Sequence, residues 1–223
     1  MRILAIETST TDSSIALLDE HAVVHETALR ADQRTAQSLA PALDAAFQHV
    51  SWSPGSVELV AVTHGPGSFT GLRIAVTTAK TFAYATGAQL VALNTLRAVV
   101  EQLPPDVTDA CAVMNAQRKQ VFAARYRRVP GHPWTVSAPC RIVDQPALAG
   151  LLSSRTVLTG PALARWSAES LAGQPRAEPQ CWTPRASTVG RLGLRVHRAG
   201  QRDSVLDLQP RYYRRSYAEE AQR

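Results

Sequence analysis

Along the first hundred residues the hydrophobic positions change period several times. RILAIE at residues 2–7 and SIALL at 14–18 are short apolar runs parted by the polar stretch Thr8 to Ser13, and a third run, Ala22 to Ala28, follows Asp19 and Glu20. Two strands joined by a tight polar turn, with a third after a second turn, predict an antiparallel meander. Between Gln33 and Val50 the period becomes helical, with Leu39, Leu43, Phe47 and Val50 on one face. Trp52-Ser53-Pro54-Gly55 closes that helix with turn chemistry. Leu59 to Thr63 reads as a buried strand, Gly71 to Ala88 as a helix, and Leu90 to Leu93 as another strand. A helix from Thr95 to about Leu103 stops at Pro104-Pro105, which bring no amide hydrogens to continue it. This order predicts a mixed sheet covered by helices.

Beyond the two prolines, Ala110 to Met114 and Gln120 to Tyr126 alternate like a hairpin with Asn115 to Lys119 as its turn. Arg155 to Leu158 reads as a strand, Gly160-Pro161 opens a helix running through Leu171, and Gln174 to Pro184 reads as a Pro-rich linker. Ser187 to Ala199 places Val189, Leu192 and Val196 on one helical face. The tail RYYRRSYAEEAQR has no apolar period and is expected to be extended, then frayed. The expected division is residues 1–103 as one lobe and 104–223 as a smaller second lobe with the tail.

Composition narrows the class. A chain of 223 residues buries a real core, as one domain or two lobes of about 100 residues. Its 45% apolar and 19% charged residues fit a globular protein. No apolar run approaches the roughly 18 residues that span a bilayer. Glu7 interrupts the stretch where a signal peptide would continue, so a cytoplasmic location is expected. Cys111, Cys140 and Cys181 lie far apart with no Cys-x-x-Cys pair, which argues against a zinc site or a disulfide framework. Charge is uneven: residues 1–103 carry 6 basic and 9 acidic side chains, residues 104–223 carry 18 and 9, and the net charge is +6. The basic half suits an anionic partner such as RNA. A solvated, arginine-rich surface is the competing reading, since all but two of the 24 basic residues are arginine.

The strongest local signal is Gly65-Pro66-Gly67-Ser68-Phe69-Thr70-Gly71-Leu72-Arg73, between a strand and a helix. Glycines permit torsions that a side chain blocks, Ser68 or Thr70 can cap the helix, and free amides at its positive end form an anion seat. The alternative is a glycine-rich structural turn, for the spacing is neither Walker A nor Gly-x-Gly-x-x-Gly. From Leu72 to Ala88 the only charges are Arg73 and Lys80, and Ala75, Val76, Ala79 and Ala83 are small or apolar. So charge-poor a helix must be covered, by a partner protein at this stripe or by the rest of the monomer. Glu7 with Thr8, Ser9 and Thr10 is either a vestigial phosphate turn or a strand-end carboxylate beside a polar turn. The histidines stand at 21, 25, 49, 64, 132 and 197; none forms a helical metal pair, and His64 alone adjoins the glycine turn. No Gly-x-Ser-x-Gly or His-Glu-x-x-His signature occurs.

ILAIETS, VTHGPGSFTGLRIAVTTAKTFA and LVALNTL together resemble the TsaB (YeaZ) family of bacterial tRNA threonylcarbamoyladenosine synthesis, most clearly over residues 1–103. The related catalytic TsaD family shares the Glu-Thr-Ser start and the Gly-Pro-Gly, but it carries a His-x-x-x-His metal pair, whereas His21 and His25, which have that spacing here, fall in a predicted turn and strand and make no helical metal pair. MNAQRKQVF at 114–122 is similar to a family hairpin with Asn115 and Gln117 at its usual Asp and Arg, and Thr35 stands where His is frequent. QPRYYRRS is similar to the closing strand, with Tyr213 in place of Leu. The resemblance implies an α/β, two-lobed actin-like ATPase (ASKHA, ribonuclease-H-like) fold with mixed sheets flanked by helices. It implies a non-catalytic dimerisation subunit that binds a TsaD-like catalytic chain through Gly65 to Arg73 and the helix after Gly71. The complex modifies the adenosine beside the anticodon of tRNAs reading codons that start with A. A TsaE-like ATPase joins it, tRNA is met through the complex, and the lone chain is expected as a homodimer. No metal and no resident cofactor are implied; ATP or ADP at a subunit interface is the nucleotide the resemblance allows, with Glu7, Thr8, Ser9 and Thr10 as its vestigial site. The competing classes are a stand-alone kinase of the same superfamily and a glycoprotease-like metallopeptidase.

Overall fold

The computed structural model describes residues 1–30, 32–166, 171 and 173–214. Strands β1 (Arg2–Glu7), β2 (Ser14–Asp19), β3 (Ala22–Ala28), β4 (Leu59–Gly65) and β5 (Gln89–Asn94) form a sheet in the order β3-β2-β1-β4-β5. The expected meander supplies its antiparallel half, Glu7 standing opposite Ser14, while β4 and β5 add in parallel with Val62 beside Ile6. Helices α1 (Thr35–His49) and α2 (Phe69–Thr86) make the crossovers that parallel strands require.

Strand alternation then sorts the side chains by face. Leu4, Ile6, Ile15, Leu17, Val60 and Val62 meet Leu39, Leu43 and Phe47 of α1 and Ala75, Val76, Ala79 and Ala83 of α2. Phe47 and Phe82 stack at 5.7 Å, joining the two helices. Ile3, Ala5, Ala16, Leu18, Leu59 and Ala61 point to the other face and are covered by Ala186, Val189, Leu192 and Leu194 of α5 (Ala186–Arg198).

This covering corrects the expected boundary. The chain separates into Met1–Ala98 with Arg185–Arg211, and Val99–Pro184 with the chain end, so the break falls at Ala98 rather than residue 103. The second face of the first sheet is apolar, and the chain returns to bury it. Asp203 then extends along β5, its amide donating to Leu90 O at 2.9 Å, and Lys80 donates to the carbonyls of Leu206 and Leu208.

Helix α3 (Thr95–Val100) leads to the second unit, where β6 (Asp109–Asn115), β7 (Val121–Arg127), β8 (Thr135–Val143) and β9 (Val157–Thr159) lie in the order β8-β7-β6-β9. The β6–β7 hairpin forms as its alternation predicts, turning through Gln117, Arg118 and Lys119 at positive φ. Strand β8 and the short helix α4 (Gln145–Ala149) have no counterpart in the apolar pattern. Strand β8 is an edge with Pro139 inside it and mostly exposed side chains, and α4 relies on an Asp144 cap. The expected linker instead lies along β9, where Leu158 N donates to Pro175 O and Ala177 N to Leu158 O, both at 2.8 Å. After Gly160 only a 3-10 turn, Pro161–Arg165, is present; the rest of the helix expected there runs into residues 167–170, outside the described residues. The frayed tail at 215–223 lies outside them too. Among the described residues no helix is long and apolar enough to cross a membrane.

Candidate functional site

Glu7 ends β1, and its side chain shares the α5-facing side with Ile3 and Ala5. It is wholly buried. Oε1 accepts from Ser9 N at 2.9 Å and from Thr63 Oγ1 at 3.1 Å. Oε2, Ser9 Oγ and Thr10 Oγ1 have no hydrogen-bond partner among the described residues. Burial pushes the Glu7 carboxyl up to about 7, against the hydrogen bonds from Ser9 and Thr63 that favour its anion. Burial also holds the His64 imidazole below its ordinary range, opposed by Asp203 and reinforced by Arg211. His64 is therefore a neutral ring near pH 7.

The glycine turn lies directly on this N-terminal turn. Ser68 N donates to Ser9 O at 2.8 Å and Thr8 Oγ1 to Gly71 O at 2.8 Å. A Cβ on Gly71 would stand 2.0 Å from Thr8 O, and one on Gly67 would stand 2.6 Å from the Ser9 Cβ. Gly65 has φ 133, and its carbonyl-side neighbour is the buried Pro66. Ser68 caps α2 by accepting from Gly71 N at 3.2 Å. The motif is thus used to bring two backbones together. Thr8 and Ser9 are thereby held against the glycine turn, while Glu7 Oε2, Ser9 Oγ and Thr10 Oγ1 stay buried beside it.

The expected interface residues divide in two. Ser68, Thr70 and Arg73 are exposed, with the Arg73 guanidinium 4.0 Å from the Phe69 ring. Leu72, Ala75, Val76, Ala79 and Ala83 are buried against the sheet. The stripe Ala75, Ala79, Ala83 is accordingly an internal contact and not a surface for a partner: small residues there let α2 lie close on β4. The outward side of α2, which the period of that stripe could have revealed, holds Thr77, Thr81, Tyr84 and Ala85, with Tyr84 77% exposed. Beside it α1 exposes Ala36, Gln37, Ala40, Pro41, Ala45 and a single carboxylate, Asp44. Leu43, Phe47, Trp52, Pro54 and Phe82 line a notch of about 600 Å³ between them.

Among the described residues no group of three or more His, Cys, Asp or Glu gathers for a metal. Burial pushes the Cys111 thiol up to about 12, which leaves no thiolate at neutral pH.

Residues 27–144 match the family described as TsaD: tRNA N6-adenosine threonylcarbamoyltransferase. The tRNA threonylcarbamoyladenosine biosynthesis protein TsaB of Bacillus subtilis is 31% identical over 127 residues, covering 57% of this chain and 56% of that protein. Escherichia coli TsaB is 29% identical over 136 residues, covering 60% and 58%. The chain thus spans a little over half the length of the curated relatives it matches. Among solved structures, a Pseudomonas aeruginosa protein similar to peptidase YeaZ superposes with a TM-score of 0.82 at 21% identity, over 96% of this chain and 99% of the other. YeaZ of the same organism gives 0.78 at 20% identity, over 95% and 99%.

Proposed function

The chain belongs to the TsaB (YeaZ) family of tRNA threonylcarbamoyladenosine biosynthesis proteins, with the two-lobed actin-like α/β fold, and from that premise we propose that it is a non-catalytic subunit docking a TsaD-like chain. The observation that carries the reading is the neutral outward surface of α1 and α2. A helix that packs one side on a sheet ordinarily presents charges on the other. Here two adjacent helices present Ala, Thr, Gln, Pro and Tyr, relieved only by Arg73, Asp44 and, at the end of α1, His49 on their exposed positions. Such a face suits a protein partner better than water. The same surface in a second copy accounts for a homodimer of the lone chain, and a TsaE-like ATPase and tRNA would be met within the complex.

Glu7 and its hydroxyl partner Thr63 are both wholly buried, out of reach of a substrate, which supports the non-catalytic role. ATP or ADP, on this reading, is held at a subunit interface, and Glu7 with Thr8, Ser9 and Thr10 is the vestige of a phosphate seat. Co-expression with a TsaD-like chain tests the role. The two should co-purify, and threonylcarbamoyladenosine should form in tRNA only when both are present; modification by this chain alone, or peptidase activity, would overturn it.

A further inference from the structure

We propose that a second site exists in the second unit, where Arg127, Arg128, His132 and Arg155 form a groove for the phosphate backbone of RNA. Thr108, Asp109, Arg127, Arg128, His132 and Arg155 are among the lining of a cavity of about 650 Å³. Three arginines and a histidine face one carboxylate, and that carboxylate is already engaged. Arg125 clasps Asp109 through Nε at 2.8 Å and Nη2 at 2.5 Å, and is itself fixed by Leu151 O and Ser153 Oγ, each at 3.1 Å. Asp109 is thereby a support under the groove and leaves its positive charge largely intact.

The two outer arginines are differently held. Arg127 touches Asp109 only through Nε at 3.3 Å and keeps 58% of its side chain exposed. Arg155 is exposed in the turn before β9. Arg128 is the fixed member: its guanidinium lies 4.3 Å from the Trp134 ring and donates to the carbonyls of Leu103, Pro104 and Val107. Glu101 and Asp106 act on Arg128 from that side. Forked guanidinium donors from the end of β7 and from the turn before β9 match phosphate oxygens.

The chemistry names the ligand class. Trp134 is buried and no exposed Phe, Tyr or Trp lines the groove, so the His132 imidazole is its one ring able to meet a base among the described residues. Recognition is by phosphate and indifferent to sequence, which suits a chain that handles many tRNAs. The groove lies in the half of the sequence with 18 basic and 9 acidic residues. The choice of RNA over an acidic protein rests on the tRNA-modification reading above.

Fluorescence anisotropy with an unmodified tRNA transcript at about 50 mM salt tests the groove. Arg155→Glu, and Arg127→Gln with Arg155→Gln, should each weaken binding at least tenfold while circular dichroism stays unchanged. Losing two phosphate contacts should also reduce the slope of log affinity against log salt by about 1.5. Arg191→Glu, an exposed arginine of α5, should cost less than threefold. Equal loss in that control, no binding of tRNA at all, or tighter binding of poly-glutamate than of tRNA would each overturn the groove. Assembly with a TsaD-like chain is measured on the same proteins. Intact assembly without tRNA binding overturns the groove alone, whereas failed assembly with groove-dependent tRNA binding overturns the subunit role and leaves the groove standing.

Discussion

Glu7 is the residue whose chemistry is most altered by the fold. Its carboxyl titrates near 4.5 when free and near 7 when buried. Between those values the folded state holds a proton that the unfolded state has lost, so stability falls as pH rises through this window. The stabilisation is fully present below pH 4.5 and gone once pH passes 7, and its size is on the order of 3 kcal/mol. Glu7→Gln keeps a carbonyl for Ser9 N and Thr63 Oγ1 without the charge. The melting temperatures of the two proteins should therefore be similar at pH 4.5 and diverge by several degrees in favour of Gln at pH 8. A gap that stays constant with pH would mean that Glu7 is not desolvated. The sequence placed Glu7, Thr8, Ser9 and Thr10 together correctly as a strand end and turn, but no motif tells whether a hydroxyl is spent. Thr8 Oγ1 is committed to Gly71 O, a partner 63 residues away.

At the scale of elements, the period of α2 was legible and its orientation was not. Ala75, Ala79 and Ala83 share a face by spacing alone, yet small residues serve an internal contact as well as a partner, and the decision lay with strands β1 and β4 beneath them. The consequence separates two substitutions on one helix. Ala79→Arg introduces a cation at a position with 0% exposure and should leave the chain aggregated or unfolded. Thr81→Arg stands on the outward side and should leave the fold intact while weakening association with a TsaD-like chain at least tenfold, read by sedimentation and circular dichroism. Unchanged association in a folded Thr81→Arg protein would remove α2 from the interface. Helix α5 makes a parallel case. A Cβ on Gly193 would stand 2.5 Å from the Ala61 Cβ, which cannot rotate away, whereas one on Gly190 would meet the end of Leu18 at 2.4 Å. Gly193→Ala should cost about 1–3 kcal/mol in urea unfolding despite its better helix propensity, with Gly190→Ala costing less. Strand β8, with its proline and exposed pattern, is the element that only its pairing with β7 defines.

For the whole molecule, the charge reversal near Pro104 falls a few residues beyond the break at Ala98, and sequence order misassigns the last helix. Local periodicity shows that residues 187–199 are amphipathic; it carries no information on which of two sheets they cover. The steric match does: Gly190 and Gly193 on α5 face Ala5, Leu18 and Ala61 of the first sheet, and Ala186 N donates to Ser14 Oγ at 3.0 Å. Without α5 and the strap through Asp203, the first sheet would expose Ile3, Leu18, Leu59, Val91 and Leu93, all buried in the intact chain. Exposing five large side chains at about 1.5–3 kcal/mol each exceeds much of the 5–15 kcal/mol by which a domain is usually stable. Residues 1–103 made alone should therefore be insoluble or should melt without a cooperative transition. Residues 1–98 joined by a flexible linker to 185–211 should instead be soluble and unfold in one step, as followed by circular dichroism and calorimetry. A cooperative, soluble 1–103 would mean that α5 is a removable cover, and the first unit would then end where the prolines stand.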